Sequence, residues 1–385
     1  VKLISMFDFV AYLNDIKFFN SVKKVKKLAN KRKSVKGVVT IVKYDGIGDF
    51  ILFLDAAKGL RQLYKDKKII LTCSGSVKQI ALDSGYFDEV ICFSRISSQF
   101  LKPSEVVKKI KKLDCELLIH ATISRDFFSE AVFASVKADK KISMPFAYLY
   151  DNKYHKWVLS NYNEFLDVSL DGMVLQINAE MVKKLGYKNF TSSSPLITAK
   201  AQNIAIPNDY FVIFLGGSSI IKRWYVERWY EVAKYITNLT GLKCVLAGDT
   251  DELNQVAYFE NKNEFNYYSY VGKTSLEELI YLISKAQFVI GNDTSAIHIA
   301  ASVKVKSLCV TSAASLNRFY PYVADNMHGF EPSFIRKKVD CEGCSFSKDT
   351  FISCVKGVTL DPVKHCLRDI TVNDFIEKFN EFIKN

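Results

Sequence analysis

Apolar, β-branched runs alternate with helical patterns along most of the chain, and this alternation constrains the fold more than any other feature. Strand-like runs occur at residues 38–42, 69–73, 89–93 and 117–121, and a second series occurs at 211–215, 243–247, 288–290 and 307–310. Helical spacing of apolar residues separates many of these runs, a pattern typical of parallel sheets with helices on both faces. Because 385 residues exceed one typical hydrophobic core, we predict two α/β domains in tandem.

A change of composition marks the predicted domain boundary. Residues 191–195 read Thr-Ser-Ser-Ser-Pro and residues 207–209 read Pro-Asn-Asp, so the linker is placed between them. Two α/β domains would form a cleft between the carboxyl ends of their strands, where ligands bind in open sheets. The predicted organisation is a basic amphipathic segment at 1–36, an N-terminal domain at 37–195, a C-terminal domain at 196–370 and a C-terminal helix at 371–385.

Positive charge is concentrated near the N-terminus. The chain carries 53 Lys and Arg against 41 Asp and Glu, and eight basic residues fall within 22–36 without an acidic residue. An apolar stretch precedes them, so the segment suits either an anionic membrane surface or a solvated helix at the domain edge. No apolar run approaches the roughly 18 residues that span a bilayer, and the order of charge and apolar residues differs from a secretory signal. We therefore expect a cytoplasmic protein.

The sequence Gly-Asn-Asp-Thr-Ser at 291–295 predicts a turn between a strand at 288–290 and a helix that starts near 297. Asp, Thr and Ser favour helix N-termini, where free backbone N–H groups and the helix dipole attract anions such as phosphate. The same residues would also cap a purely structural turn. This stretch alone is compatible with both interpretations.

Two further glycine turns follow predicted strands. Gly-Ile-Gly-Asp at 46–49 follows the first strand, and Gly-Gly-Ser-Ser at 216–219 precedes the basic pair Lys222 and Arg223. Glycine allows close approach of a ligand to the backbone, and the basic pair suits a diphosphate. The first turn lacks the third glycine of a dinucleotide fingerprint and the Gly-Lys-Ser/Thr of a P-loop. Either turn could instead serve the fold alone.

Together, these stretches resemble glycosyltransferase family 9, the lipopolysaccharide heptosyltransferase family, over about residues 38–370. The resemblance implies a GT-B fold, in which two Rossmann-like domains face a central cleft. It also implies inverting transfer of heptose from ADP-heptose to a lipopolysaccharide core or related glycolipid, with no cofactor or metal in catalysis. The matching residues are Ile41-Val42-Lys43 with Gly48-Asp49, residues 215–219 with Lys222-Arg223-Trp224 and Glu227-Arg228-Trp229, and residues 289–294 with His298 and Ala300-Ala301.

Roles for individual residues and partners follow from the resemblance. Asp49 matches the catalytic base that deprotonates the acceptor hydroxyl, and Lys222 would offset charge on the leaving diphosphate. The implied partners are a nucleotide-diphosphate sugar and an anionic glycolipid at the cytoplasmic face of the inner membrane, and not nucleic acid. Donor binding is predicted for Gly216, Gly217, Ser218, Ser219, Lys222, Glu252, Asp293, Thr294, Ser295 and His298, and acceptor binding for Lys43, Gly48 and Arg125.

The chain departs from the family pattern at three places. Ser295-Ala296 replaces glycine and proline, residues 311–314 replace Phe-Gly-x-Thr, and Tyr44-Asp45 replaces two small residues. These changes line the implied sugar and nucleotide pockets, so they bear on the donor more than on the reaction type. The alternatives are a different nucleotide sugar, a protein acceptor or, in another class, a basic protein that binds nucleic acid or membrane without catalysis.

Four of the nine cysteines fall in a predicted Cys-rich loop at 333–369. Cys341, Cys344, Cys354 and Cys366 have the spacing Cys-x2-Cys-x9-Cys-x11-Cys, which is typical of a tetrahedral zinc or iron site. The alternative is a set of free thiols. We predict a structural metal here, separate from catalysis.

Overall fold

The structure is a computed structural model that describes residues 32–93, 103–125, 127–148, 158–217, 222–340, 342 and 365–384. Backbone contacts divide the chain into two compact units, each built on a six-stranded sheet whose neighbouring strands are all parallel. The first unit extends to Phe50 and includes Ala56–Leu170 and Ala179–Phe190. The second includes Ile51–Asp55, Asp171–Asn178 and the residues from Thr191 onward. The prediction of two parallel α/β units is confirmed.

The sheet of the first unit has the order β3-β2-β1-β4-β6-β8, and a separate strand pair joins β5 to β7. Its strands are β1 (Val38–Lys43), β2 (Lys68–Cys73), β3 (Glu89–Cys92), β4 (Cys115–His120), β5 (Ser124–Arg125), β6 (Ala138–Ser143), β7 (Ala147–Tyr148) and β8 (Glu164–Phe165). The helices in this part of the chain are α1 (Ile47–Leu63), α2 (Lys78–Ser84), α3 (Pro103–Lys111), α4 (Phe127–Ser135) and α5 (Val174–Lys184).

The sheet of the second unit has the order β11-β10-β9-β12-β13-β14. Its strands are β9 (Tyr210–Phe214), β10 (Lys243–Ala247), β11 (Tyr267–Ser269), β12 (Val289–Asn292), β13 (Ser307–Val310) and β14 (Ser333–Ile335). Its helices are α6 (Val226–Thr240), α7 (Leu253–Lys262), α8 (Leu276–Ser284), α9 (Ser295–Ser302), α10 (His365–Arg368) and α11 (Val372–Phe382).

Burial explains why the two central strands have continuous apolar sequences. Every residue of β1 and of β9 is buried, as expected for parallel strands covered by helices on both faces. Helix α11 places Phe375, Phe379 and Phe382 on one face, and these rings join the apolar core of the second unit. The predicted C-terminal helix is therefore part of the second unit's core.

Strand pairing changes two of the expected loops. The predicted turn at 291–295 is wrong for Gly291 and Asn292, which extend β12 by pairing in register with Cys309 and Val310. On its other side Gly291 pairs with Phe214 of β9, and a Cβ at Gly291 would lie 2.6 Å from the carbonyl oxygen of Phe214. The predicted Cys-rich loop at 333–369 begins with strand β14, which pairs with β13.

Two members of the basic N-terminal run are paired with acidic residues of the first unit. Arg32 Nη1 lies 3.1 Å from Asp114 Oδ2, and Lys36 Nζ lies 2.9 Å from Asp139 Oδ2. Most of the run lies outside the described residues. None of the described helices is long and apolar enough to cross a membrane.

Candidate active site

Lys43, the last residue of β1, is buried in an ion pair with Asp45. Its Nζ donates to Asp45 Oδ2 at 2.5 Å and to the carbonyl of Ala121 at 3.1 Å. The backbone N–H of Ser124 donates to Asp45 Oδ1 at 3.0 Å. These bonds join the carboxyl end of β1 to the loop after β4, its neighbour in the sheet. Acceptor binding by Lys43 stays a prediction.

Asp49 lies in the first turn of α1, immediately after the Gly46 N-cap. Gly46 has no side chain to cap the helix, and the backbone N–H of Phe50 donates to its carbonyl at 2.9 Å. The positive end of a helix dipole favours an ionised carboxylate at this position. A half-buried carboxylate there has the chemistry of a general base. Gly48 is the second residue of the same helix.

Arg125 is fully buried and bonded on every donor within the first unit. Its Nη1 donates to Glu130 Oε1 at 3.1 Å and to the Tyr162 hydroxyl at 2.8 Å. Its Nη2 donates to Ser143 Oγ at 3.0 Å, and its Nε donates to the carbonyl of Thr122 at 2.8 Å. This geometry favours a positioning role for Arg125 over the predicted contact with an acceptor.

The carboxylate of Glu252 in the second unit lies between two glycines. A Cβ at Gly216, after β9, or at Gly248, after β10, would collide with it. Glu252 is 8% exposed, and its Oε2 accepts no hydrogen bond from any residue that the structure describes. Burial raises the pKa of Glu252 to about 7, although Arg223 acts in the opposite direction. Such a carboxylate can accept hydrogen bonds from neighbouring hydroxyl groups, such as those of a ribose.

Asn292 fixes the backbone of the glycine loop after β9. Its Nδ2 donates to the carbonyls of Leu215 and Gly216 at 2.7 and 3.0 Å. Its Oδ1 accepts from the backbone N–H of Trp224 at 2.9 Å. Arg223 donates to the carbonyl of Gly217 at 3.2 and 3.1 Å. One buried amide therefore joins the ends of β9 and β12 to the start of the segment that leads into α6.

The residues after β12 and β13 combine a fixed carboxylate with two hydroxyls that have no hydrogen-bond partner in the described part of the chain. Asp293 accepts hydrogen bonds from Tyr320 and Ser315. Thr294 is the N-cap of α9, but its hydroxyl does not cap the helix. Its buried Oγ1 and that of Ser312 have no hydrogen-bond partner among the described residues. A helix N-terminus with unpaired hydroxyl donors is suited to an anion.

His298 is buried in α9 as a neutral ring. Its Nδ1 lies 2.6 Å from the Tyr322 hydroxyl. Burial lowers the pKa of His298 to about 4, and Lys222 acts in the same direction. A neutral imidazole cannot supply charge to a diphosphate, so any role in donor binding is a hydrogen-bonding or packing role.

The remaining predicted site residues are half-buried or buried in the structure, or they lie outside the described residues. Lys222 is half-buried and makes no hydrogen bond or ion pair to a described residue. Ser295 is the half-buried first residue of α9. Ser218 and Ser219 lie outside the described residues, as do Cys341, Cys344 and Cys354, while Cys366 is buried.

Each unit gathers its predicted residues where the strand order reverses. In the second unit, Gly216, Glu252 and Asp293 follow β9, β10 and β12, which are neighbours in the sheet. In the first unit, Lys43 ends β1 and Asp49 follows it, and β1 adjoins β4. Such reversal points are the usual ligand sites of open α/β sheets.

Sequence reasoning missed four polar residues of these sites. In the sequence, Asp45 stands out only as a departure from the family pattern, although its position two residues after Lys43 is a signal for an ion pair. Asn292 belongs to the predicted turn, but nothing in the sequence indicates that its amide bonds to the loop after β9. Ser315 and Tyr320 gave no local signal, since they meet Asp293 only through the fold.

The sequence model of glycosyltransferase family 9, described as heptosyltransferase, matches residues 129–340, more than half of the chain. The chain belongs to glycosyltransferase family 9. The matched residues include the loop after β9, Glu252 and the Asp293 turn. The predicted family is confirmed, and the protein is a glycosyltransferase.

The similarity to individual members of the family covers most of the chain. Lipooligosaccharide heptosyltransferase 2 of Campylobacter jejuni is 21% identical over 347 residues, which cover 88% of this chain and 96% of that protein. The structure of E. coli ADP-heptose lps heptosyltransferase II has 14% identity and a TM-score of 0.65, covering 90% of this chain and 98% of that one. The iron-containing dodecameric glycosyltransferase TibC of E. coli has 14% identity and a TM-score of 0.55, covering 92% and 77%. At these identities the structures show the fold, which is that of the GT-B class.

Proposed function

We propose that this glycosyltransferase transfers a heptose from ADP-heptose to a lipopolysaccharide core or related glycolipid, with inversion at the anomeric carbon. The observation that carries the proposal is the Glu252 carboxylate, held between Gly216 and Gly248 with one oxygen unpaired among the described residues. It suits the ribose of a nucleotide, and the named relatives include an ADP-heptose enzyme and a lipooligosaccharide enzyme.

The second unit supplies the donor side of this proposal. Thr294 and the N-terminus of α9 would hold the diphosphate, while Asp293 would accept hydrogen bonds from sugar hydroxyls. Lys222 would stabilise negative charge as the diphosphate leaves. Because these groups neutralise the leaving group themselves, the proposed catalytic step needs no metal ion.

The first unit supplies the base. Asp49 would remove the proton from the acceptor hydroxyl as that oxygen attacks the anomeric carbon and the bond to the diphosphate breaks. One base and direct displacement give inversion. Its place in the first turn of α1 supports this role, because the positive end of a helix dipole favours a negatively charged side chain.

The test is Asp49→Asn, with Asp66→Asn as a matched control because Asp66 is exposed. Loss of a general base typically costs about 10²–10⁴-fold in rate, so Asp49→Asn should lose at least about 100-fold in turnover. ADP affinity and the unfolding midpoint should stay at wild-type values. Turnover by Asp49→Asn equal to that of Asp66→Asn would refute the assignment of the base.

A panel of nucleotide sugars, scored by release of the nucleoside diphosphate, tests the donor separately. ADP-heptose should give the highest turnover. A clear preference for another nucleotide sugar would show that the donor is not ADP-heptose, and the proposed transfer mechanism would still apply. Transfer of the sugar to a protein would likewise show that the acceptor is not a glycolipid.

We also propose that the chain acts at the cytoplasmic face of the inner membrane. The glycolipid acceptor and the basic run at 22–36 support peripheral contact. Arg32 and Lys36 already pair with acids of the first unit, so the attraction rests on the other basic residues of the run. Salt-sensitive binding to anionic vesicles, and not to RNA, is the expected result.

The cysteine cluster is proposed as a structural zinc or iron site. Its spacing supports four thiolate ligands from Cys341, Cys344, Cys354 and Cys366, and TibC, a relative of the same fold, is described as iron-containing. Elemental analysis of the purified protein should find about one zinc or iron per chain. Cys344→Ser should reduce the metal content, and a metal-free wild-type protein would refute the proposal.

A further inference from the structure

Two cysteines meet at the carboxyl ends of neighbouring strands in the first unit. Cys73 ends β2 and Cys92 ends β3, and the two residues are register partners in the parallel pair. Their sulfur atoms are 3.8 Å apart. Neither residue belongs to the cysteine cluster near the C-terminus or to the predicted donor and acceptor residues.

The backbone already has the spacing that a disulfide needs. Neighbouring strands lie about 4.8 Å apart, within the range of about 4.4–6.8 Å between the Cα atoms of bridged cysteines. A bond requires only that the sulfur atoms approach from 3.8 Å to about 2.05 Å, which side-chain rotation can supply.

The environments of the two thiols differ in a way that assigns their roles. Cys73 is fully buried, whereas Cys92 is half-buried. The hydrogen bond from Cys73 lowers the pKa of Cys92 to about 7, and Lys78 and Lys109 act in the same direction. The same hydrogen bond and burial raise the pKa of Cys73. Cys92 is therefore the thiol that ionises and reacts first.

We propose that Cys73 and Cys92 form a reversible disulfide, with a peroxide as the oxidant and Cys92 as the attacking thiol. The Cys92 thiolate attacks one oxygen of hydrogen peroxide, breaks the O–O bond and becomes a sulfenic acid while hydroxide leaves. The Cys73 sulfur then displaces the sulfenic oxygen, and its proton leaves with that oxygen as water. Two thiols are oxidised and one peroxide is reduced to two waters.

Three other cysteines, each on a described strand, do not share this arrangement. Cys115, Cys244 and Cys309 are fully buried, and burial raises the pKa of each. Buried thiols of this kind are inert towards peroxide. Cys115 is the matched control because it belongs to the same sheet, on β4.

The experiment exposes the reduced full-length protein to a small excess of hydrogen peroxide. Remaining thiols are then alkylated, and the unreduced digest is analysed by mass spectrometry. The expected product is a peptide pair linked through Cys73 and Cys92, which dithiothreitol separates. The rate of linkage should rise as the pH increases through about 7, since the thiolate of Cys92 is the reacting form.

Three variants assign the steps. Cys92→Ser should leave Cys73 as a thiol, whereas Cys73→Ser should leave Cys92 as a sulfenic acid that dimedone traps. Cys115→Ser should keep the wild-type yield of linked peptide. The wild-type digest decides the proposal even where a variant folds poorly. Peroxide treatment that oxidises Cys92 without the linked peptide, or that leaves both thiols reduced, would overturn it.

Discussion

The hydroxyl of Tyr320 donates a hydrogen bond to Asp293 Oδ1 at 2.9 Å, and both side chains are buried. Ser315 Oγ donates to the other carboxylate oxygen. Two donors therefore fix the carboxylate at the end of β12 before any ligand binds. A group held in this way loses little conformational freedom when it binds a sugar hydroxyl.

Tyr320→Phe should weaken both the fold and donor binding. A hydrogen bond to a charged group contributes about 1.5–3 kcal/mol, so urea unfolding should show a loss of about 2 kcal/mol. The affinity for ADP-heptose, measured by calorimetry, should fall as well. The control is Tyr268→Phe, because Tyr268 is 42% exposed, and its free energy of unfolding should change by less than about 0.5 kcal/mol. Equal unfolding free energies for the two variants would contradict the prediction.

Glu252 should make stability depend on pH. Burial raises the pKa of this carboxyl from 4.5 to about 7, so the folded state binds the proton more tightly than the unfolded chain. The stabilisation is complete below pH 4.5 and is lost as the pH rises to about 7. At about 1.4 kcal/mol per pH unit, the loss is about 3 kcal/mol.

Urea unfolding of wild type and Glu252→Gln at pH 4.5 and 7.5 measures this loss. The neutral glutamine cannot ionise, so the variant lacks this source of pH dependence. Between pH 4.5 and 7.5, its free energy of unfolding should fall by about 3 kcal/mol less than that of wild type. Other titrating groups cancel in the difference. If the stability of the two proteins depended on pH in the same way, the pKa of Glu252 would not be raised by folding, and the prediction would be wrong.

Arg125→Met separates a positioning role from contact with an acceptor. The substitution leaves the carboxylate of Glu130 buried without its cation, which typically costs about 3–5 kcal/mol. Adding Glu130→Gln should recover part of this loss in the free energy of unfolding. An unchanged stability with a raised KM for the acceptor would instead support the acceptor contact predicted from the sequence.

The control for Arg125 is an exposed ion pair of the same unit. Lys140 Nζ lies 2.5 Å from Glu164 Oε2, and both side chains are about half exposed. Lys140→Met should change the free energy of unfolding by less than about 1 kcal/mol.

Gly216→Ala should disturb the nucleotide side of the site. The new Cβ would collide with the Glu252 carboxylate and force it to move. Overpacking of this kind costs about 1–3 kcal/mol, and ADP affinity should fall about tenfold. Gly75→Ala is the control because no heavy atom lies within 4 Å of its added Cβ. Wild-type ADP affinity in Gly216→Ala would show that the nucleotide does not use this carboxylate.

The strands and most helices were predictable because their signals are local. The runs at 243–247 and 307–310 coincide with β10 and β13, since buried parallel strands need continuous apolar residues. The end of β12 was not predictable in this way. Gly291 and Asn292 resemble turn residues, and they stay extended because both pair with β13 and Gly291 also pairs with Phe214 of β9.

The sequence predicts which residues lie near the candidate site, but it does not predict the contacts that their side chains make. The family resemblance predicts acceptor binding by Lys43 and Arg125, but the sequence does not reveal that Asp45 and Glu130 pair with them in buried surroundings. A sequence shows that a lysine or arginine is present, but it does not show whether another residue of the protein already pairs with its charge. In the fold they are bonded before any ligand binds.

By itself, the sequence determined the alternation of strands and helices, the family and the order of its motifs, because each depends on neighbours in the chain. Tertiary structure alone decided which polar groups are satisfied. Asp293 meets Tyr320 across 27 positions, and Cys73 meets Cys92 across 19. Such pairs form when distant segments pack together, so burial and hydrogen bonding set their chemistry after the fold has brought them into contact.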